Sequence, residues 1–116
     1  MDEKELKKRT KSFSLRIIKL VGALPRTVEG RAIGSQLIRS GTSVGANYRA
    51  ACRGRSKPDF IAKLGIVEEE ADESAFWMEL IIESDMMKKE LVEPLLQEAN
   101  ELVAIMTASR KSAAGR

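Results

Sequence analysis

Four glutamates in one short stretch are the residues most able to do chemistry in this sequence. They are Glu68, Glu69, Glu70 and Glu73, and on a helix Glu70 and Glu73 share one face beside an apolar stripe. Di-iron bundle proteins combine such carboxylates with a histidine on the next turn, but the sequence contains no histidine. Carboxylates alone would repel one another without a bound cation. We therefore predict no metal, and a glutamate face that is solvated or paired with arginine.

Nucleophilic catalysis also lacks its usual partners. Ser40 and Ser43 have no histidine to act as a base and no acid to orient one. Cys52 is the only cysteine, which excludes an intramolecular disulfide and a Cys/His zinc site of standard spacing. Its neighbours Ala51 and Arg53 favour a structural helix residue over a nucleophile. We predict a protein that is not an enzyme and binds no cofactor, with a metal-dependent enzyme as the remaining alternative.

Polar residues on the second predicted helix form a candidate structural network with two of the glutamates. The residues on one side of this helix, at helical spacing, are Arg39, Ser40, Ser43 and Asn47. The planar fork of Arg39 is a natural partner for Glu70 and Glu73, because one guanidinium satisfies two carboxylate oxygens. We predict a buried polar network that fixes helix register: Arg39, Ser43, Asn47, Glu70 and Glu73.

Two groups of basic residues could contact phosphates. Arginine suits phosphate by charge and by geometry, and contacts of this kind weaken with salt. Aromatic residues are only 4% of the chain, so base stacking is poorly supplied and binding would be directed at the nucleic-acid backbone. A solvated basic surface is the alternative. The candidate nucleic-acid-binding residues are Lys8, Arg9, Lys11, Arg16, Arg49, Arg53, Arg55 and Lys57.

The net charge of +3 conceals a strong asymmetry between the halves of the chain. Residues 1–57 hold 14 Lys and Arg against 4 Asp and Glu, whereas residues 58–116 hold 6 against 13. Either the halves neutralise each other across helix and subunit contacts, or the basic half faces an anionic polymer such as RNA.

Apolar residues recur at three- and four-residue steps, the period of helices with one buried stripe. Pro25 ends the first such stretch, and Ser56 followed by Pro58 predicts a helix start near residue 57. No alternating run typical of a strand occurs, so we predict an all-α protein. The predicted helices are residues 3–24, 28–54, 57–86 and 92–109, followed by a frayed basic tail at 110–116.

The chain length and the short connections indicate the architecture. A chain of 116 residues is long enough for one core, so we predict a single domain at 1–116. Short connections favour antiparallel neighbours and an antiparallel up-down-up-down four-helix bundle. The charged start lacks the apolar segment of a secretory signal, and no apolar run approaches the ~20 residues of a membrane span. We expect a cytoplasmic protein with no membrane association.

Two helices carry signs of close packing with other elements. Gly41 and Gly45 each cost the second helix up to ~1 kcal/mol against alanine, which predicts close approach of another backbone there. An interruption near Gly41 is the alternative. The third helix has a second apolar stripe, Ile66, Trp77 and Leu80, beside its core stripe. This width predicts a homo-oligomer, with a wide core-facing arc as the alternative.

Three segments resemble a known protein family. Residues 39–48 read Arg-Ser-Gly-Thr-Ser-Val-Gly-Ala-Asn-Tyr, residues 56–64 read Ser-Lys-Pro-Asp-Phe-Ile-Ala-Lys-Leu, and residues 70–80 read Glu-Ala-Asp-Glu-Ser-Ala-Phe-Trp-Met-Glu-Leu. They resemble the four-helix-bundle proteins encoded in intervening sequences of bacterial large-subunit ribosomal RNA genes. Ala50 stands where that family often has a glutamate. The residues that match its recurrent positions are Ser43, Asn47, Ser56, Asp59, Phe60, Glu70, Glu73 and Trp77.

The resemblance implies a function without enzymatic activity. The family includes accessory proteins of diversity-generating retroelements, which implies a pentameric barrel that binds nucleic acid and a reverse transcriptase. We therefore expect a homo-oligomeric scaffold, a pentamer, that binds RNA or DNA through its basic surface. Its partner would be a reverse transcriptase or an rRNA intervening element. The alternative is a protein-binding oligomeric adaptor with no nucleic-acid role.

Overall fold

Four α-helices account for nearly all of residues 1–115, which are the residues that the computed structural model describes. No strand occurs in this range, so the prediction of an all-α protein is confirmed. No helix within residues 1–115 combines the length and the apolarity needed to cross a membrane. The helices are α1 (Glu3–Gly22), α2 (Val28–Cys52), α3 (Lys57–Glu83) and α4 (Lys89–Ala114).

Short polar side chains start the first three helices. Asp2, Thr27 and Ser56 each accept a hydrogen bond from the backbone N–H three residues later, which satisfies one of the unpaired amides of the first turn. Lys88 precedes α4 and supplies no such bond. Helix starts therefore follow the capping residues that the sequence displays, except at α4.

The helix ends differ from the predicted ones in a consistent way. The first three helices end two or three residues earlier than predicted, because the chain turns before Pro25, around Gly54 and at Asp85, whose φ is 58°. The fourth is longer at both ends, since Pro94 is tolerated inside it. Residues 110–114, which were predicted as a frayed tail, continue the fourth helix. Arg116, the last residue of that predicted tail, lies outside the described residues.

The core lies between helices that are neighbours in the chain. Extensive contacts join α1 to α2, α2 to α3 and α3 to α4, whereas α1 meets α4 over a much smaller area. Within residues 1–115 no Cα atoms of the diagonal pairs, α1 with α3 and α2 with α4, come within 8 Å of each other. The largest fully buried side chains are Phe13, Ile17, Leu37, Leu64, Met78, Ile81, Leu102 and Met106.

Glycines bring α1 and α2 close together. A Cβ at Gly41 would lie 2.5 Å from Cγ2 of Ile17, and one at Gly45 would lie 2.7 Å from Oγ of Ser14. Ser14 in turn donates a hydrogen bond of 2.9 Å to the carbonyl of Gly41 and accepts one of 3.1 Å from N–H of Gly45. α2 continues through Gly41 without interruption. The glycines therefore serve close helix packing, which fixes the α1–α2 groove described below.

Candidate nucleic-acid interface

Five basic side chains converge on a groove between α1 and α2. The groove has a volume of about 490 Å³, and Ser14, Thr42, Gly45 and Ala46 lie between its basic residues. None of the residues that line it is acidic. We call it the basic groove, and its basic residues are Lys4, Lys7, Lys8, Lys11 and Arg49.

Helical spacing aligns the lysines along one edge of the basic groove. Lys4, Lys8 and Lys11 follow one another at four and three residues, so they share one side of α1. Arg49 stands on the opposite edge, near the end of α2. The two edges stay close because Ser14 hydrogen-bonds to the backbone of α2 at Gly41 and Gly45. The lysines are therefore positioned by helix geometry and by the small residues of α2.

These cations are exposed and largely free of internal partners. Lys8, Lys11 and Arg49 form no ion pair with any carboxylate in residues 1–115. Lys7 forms a single long ion pair at the exposed helix start, in which its Nζ is 3.9 Å from Oε1 of Glu3. Unpaired cations that face one groove create a positive potential, and that potential attracts anionic groups such as phosphates. The groove therefore has the charge and the accessibility of a site for a phosphate backbone.

Arg9 does not belong to this surface. Its guanidinium donates hydrogen bonds of 2.7 Å to both carboxylate oxygens of Glu98 and one of 2.8 Å to Glu101. Only 25% of the Arg9 side chain is exposed, and these carboxylates raise its pKa. The structure therefore does not bring Arg9, which was predicted to bind nucleic acid, into the basic groove. Arg9 points toward α4, because it lies on a different side of α1 from Lys8 and Lys11.

The remaining candidates divide between two regions. Arg16 lines a separate groove between α1 and α4, together with Lys19, so the structure does not bring it into the basic groove. Arg53, Arg55 and Lys57 are exposed at the turn between α2 and α3. The α1–α2 pairing places that turn at the same end of the molecule as Lys4. These three cations therefore extend the positive surface beyond Arg49.

Sequence reasoning missed two residues of the basic groove, Lys4 and Lys7. Lys4 had a usable signal, since it continues the spacing of Lys8 and Lys11 by one more turn. Lys7 stands at helical spacing from both Lys4 and Lys11, but only the packing of α2 shows which side of α1 borders the groove. The predicted residues that the groove does include are Lys8, Lys11 and Arg49.

Arg39 pairs with two glutamates of α3 at the surface. Nη1 of Arg39 is 3.0 Å from Oε2 of Glu70, and Nη2 hydrogen-bonds to Glu73. Trp77 donates its indole N–H to the same carboxylate of Glu73 at 3.0 Å. The bond from Trp77, followed by those from Arg39, lowers the pKa of Glu73. Half of the Arg39 side chain is exposed, so this part of the predicted network is not buried.

Ser43 and Asn47 do not join that cluster. Nδ2 of Asn47 donates to the carbonyl of Ser43 at 2.9 Å, a bond within α2 itself. The buried polar contact between α2 and α3 is instead made by Ser40 and Ser74, whose hydroxyl oxygens are 2.9 Å apart. Ser74 was not predicted, although it lies one turn from the buried residues Ala71 and Met78. Its hydroxyl also donates to the carbonyl of Glu70 at 2.8 Å.

No group of three or more His, Cys, Asp or Glu side chains within residues 1–115 is arranged to hold a metal ion. The glutamates of α3 point in different directions around the helix. Glu68 accepts a hydrogen bond of 3.1 Å from Arg110 of α4, whereas Glu70 and Glu73 face Arg39 of α2. Three of the four carboxylates that were considered as metal ligands therefore pair with arginines on the neighbouring helices, and Glu69 is exposed to solvent.

Comparisons with known proteins cover almost the whole chain. Residues 2–108 match the family model described as 23S rRNA-intervening sequence protein. A crystal structure described as a protein with unknown function from the S23 ribosomal protein family of Bacteroides thetaiotaomicron VPI-5482 is similar, with a TM-score of 0.88. The two sequences are 32% identical over 96% of this chain and 99% of that chain. No curated protein matches the sequence.

Proposed function

The chain belongs to the 23S rRNA-intervening sequence protein family, as its motifs predict, and we propose that it is a non-enzymatic homo-oligomeric scaffold that binds RNA or DNA backbones. One observation carries the proposal: five basic side chains surround a groove that no acidic residue lines. A surface of this kind contacts phosphates and does not read base edges. The partner is therefore a nucleic acid recognised by its backbone.

The scaffold part of the proposal rests on the shape of one subunit and on its exposed apolar residues. Thr10 lies beside Gly45, and Leu24 lies beside Gly34. The helices α1 and α2 therefore run in opposite directions. This pairing supports the antiparallel up-down-up-down bundle. Ile66 and Phe76 are 42% and 50% exposed on α3, which supports assembly with further copies. The subunit number of five comes from the resemblance to pentameric barrel proteins.

The biological setting in this proposal is suggested by the family resemblance. We propose that the protein works in the cytoplasm, as an accessory to an rRNA intervening element or to a reverse transcriptase. In either setting the scaffold holds an RNA or DNA strand by its phosphates while a partner acts on it. Repetition of the basic groove around an oligomer would multiply phosphate contacts without any increase in affinity per subunit.

A salt series tests nucleic-acid binding. The affinity of the protein for a structured RNA and for duplex DNA is measured between low and physiological salt, by fluorescence anisotropy. We expect log affinity to fall linearly with log salt. The triple variant Lys8→Gln, Lys11→Gln, Arg49→Gln should have a shallower slope, by roughly 1 for each phosphate that the protein no longer neutralises.

A matched control separates the basic groove from overall charge. The triple variant Lys88→Gln, Lys89→Gln, Lys111→Gln removes the same three positive charges from exposed positions around α4. We expect its slope to match that of the unmodified protein. An equal decrease in both variants would mean that binding is diffuse and that the groove has no special role. If neither nucleic acid binds at low salt, the proposal fails and an adaptor for proteins becomes the better hypothesis.

A further inference from the structure

The outward side of α3 is both apolar and acidic. Ile66 and Phe76 are 42% and 50% exposed there, and the ring of Phe76 packs edge-on against Trp77 with centroids 5.1 Å apart. Residues 64–87 contain eight acidic residues and no Lys or Arg. Five of these acids are exposed and form no ion pair within residues 1–115. Asp85 follows the end of α3, and the four on α3 itself are Glu69, Asp72, Glu79 and Glu83. We call this surface the α3 face.

A second surface has the opposite charge. Leu15 and Ile18 on α1 are 59% and 46% exposed, and Ile38 on α2 is 36% exposed. The α1–α2 pairing places Ile38 at the level of Ile18. Residues 6–28 contain seven basic residues and no Asp or Glu. We call the surface formed by Leu15, Ile18 and Ile38, with the basic residues that flank it, the α1 face.

These two surfaces complement each other but cannot meet within one subunit. Over residues 1–115 no Cα of α1 comes within 8 Å of a Cα of α3, and the apolar residues of both faces are exposed, so the two faces lie on different sides of the bundle. An apolar centre of similar chemistry in each face would be buried by their contact. The exposed carboxylates of α3 would also lie beside the exposed Arg16 and Lys19 of α1, whereas each face placed against itself would oppose like charges.

We propose that the α3 face of one copy packs against the α1 face of the next, in a head-to-tail contact between identical chains. This inference rests on the homo-oligomer of the proposed function and assigns its interface. A head-to-tail contact closes into a ring when the rotation from each copy to the next divides a full turn, with no rise along the axis. The basic groove lies toward the start of α1, beyond Leu15, so most of its lysines stay outside the contact.

Two half-interface variants test the contact by mixing. The first, Leu15→Ser with Ile18→Ser, removes the apolar centre of the α1 face and keeps the α3 face. The second, Ile66→Ser with Phe76→Ser, does the reverse. We expect each variant alone to be a folded monomer by circular dichroism and multi-angle light scattering. An equimolar mixture should form a heterodimer of twice the single-chain mass, because one intact face of each kind remains.

The mixing result decides between the possible geometries. If both folded variants stay monomeric when mixed, or if either still assembles alone, the proposed contact is wrong. A monomeric unmodified protein at micromolar concentration would overturn it as well. These four residues are all at least 42% exposed, so serine should be tolerated without loss of the core.

Charge reversal provides a second test that leaves every apolar residue in place. Arg16→Glu with Lys19→Glu, and separately Glu69→Lys with Asp72→Lys, should each weaken assembly at least tenfold, and combination of the two pairs in one chain should restore it. Combined substitutions that fail to restore assembly would contradict the pairing of the two faces. The salt series, repeated on the monomeric variant that keeps Lys8, Lys11 and Arg49, reports on the basic groove alone. A failed interface and a failed nucleic-acid site therefore give different results.

Discussion

Arg9 of α1 donates hydrogen bonds of 2.7 Å to both carboxylate oxygens of Glu98 on α4. A second acceptor, Glu101, lies 2.8 Å from the same guanidinium. The side chains of Arg9 and Glu98 are only 25% and 16% exposed, so water screens this pair less than a surface ion pair. The contact matters because α1 and α4 are the most loosely packed of the adjacent helices.

Replacement of Arg9 should destabilise the fold without affecting nucleic-acid binding. We expect Arg9→Gln to lower the free energy of unfolding by about 1 kcal/mol, because the bidentate bond is removed and Glu98 keeps a partly buried charge. Urea unfolding followed by circular dichroism measures this change. Lys8→Gln is the control, since Lys8 is exposed and unpaired: it should leave stability within about 0.5 kcal/mol but reduce the salt slope. If Arg9→Gln instead reduced the salt slope and left stability unchanged, Arg9 would belong to the nucleic-acid-binding surface.

Gly41 should not tolerate a methyl group. The Cβ of Gly41→Ala would lie 2.5 Å from Cγ2 of Ile17, a branched side chain that is fully buried. We expect a loss of about 1–3 kcal/mol from overpacking, partly offset by the better helix propensity of alanine. Urea unfolding of both proteins measures the difference.

Gly65 provides the control for that substitution. A Cβ there would meet only Cδ of Arg110, at 3.8 Å, in ordinary van der Waals contact. Gly65→Ala should therefore stabilise the protein by up to ~1 kcal/mol, because alanine favours the helix without a clash. Equal effects at Gly41 and Gly65 would mean that α1 and α2 are less tightly packed than the Ile17 contact indicates.

The pairing of Glu73 with Trp77 should make stability depend on pH. The pKa of Glu73 is below its ordinary value of 4.5 in the folded protein, first because Trp77 donates to it and then because of Arg39. The folded state therefore binds this proton less readily than the unfolded state. The resulting stabilisation is present above pH 4.5 and is lost as the pH falls through the folded pKa.

Trp77→Phe should reduce that dependence. The variant lacks the indole donor, so the stability difference from the unmodified protein should shrink as the pH falls from 7 to below 4.5. Any stability that Trp77→Phe loses through poorer packing is the same at every pH, so the change with pH isolates the effect of the hydrogen bond.

A Glu73→Gln background provides the control. There the same Trp77→Phe substitution should cause a loss of stability that does not vary with pH. A pH-dependent loss in that background would assign the effect to another carboxylate. Denaturant unfolding at a series of pH values measures both differences.

The fold was more accessible from the sequence than the site was. Apolar spacing and caps such as Ser56 are local signals, and they determine where helices form. The pairing of Arg9 with Glu98 was not predicted, because Glu98 is 89 residues away and no local spacing relates the two. Ser74 was missed for a similar reason. The hydrogen bond of its buried hydroxyl depends on Ser40, which lies opposite on another helix and is not indicated by the sequence around Ser74. Residues 110–114 were assigned to a frayed tail because the hydrogen bond from Arg110 to Glu68, a residue 42 positions earlier in the chain, has no local sequence signal.

The small contact area between α1 and α4 has a consequence for local opening. A helix that packs extensively on one neighbour and little on the other separates from the bundle at a lower free energy than a helix held on both sides. Within this bundle α1 and α4 are both held in that way, and Arg9 is the link that opening must break. Because α1 carries the lysines of the basic groove, separation of α1 from α2 would dismantle that groove while α2 and α3 stay packed. Hydrogen exchange at the backbone amides of α1 therefore measures the same local opening that removes the phosphate-binding surface.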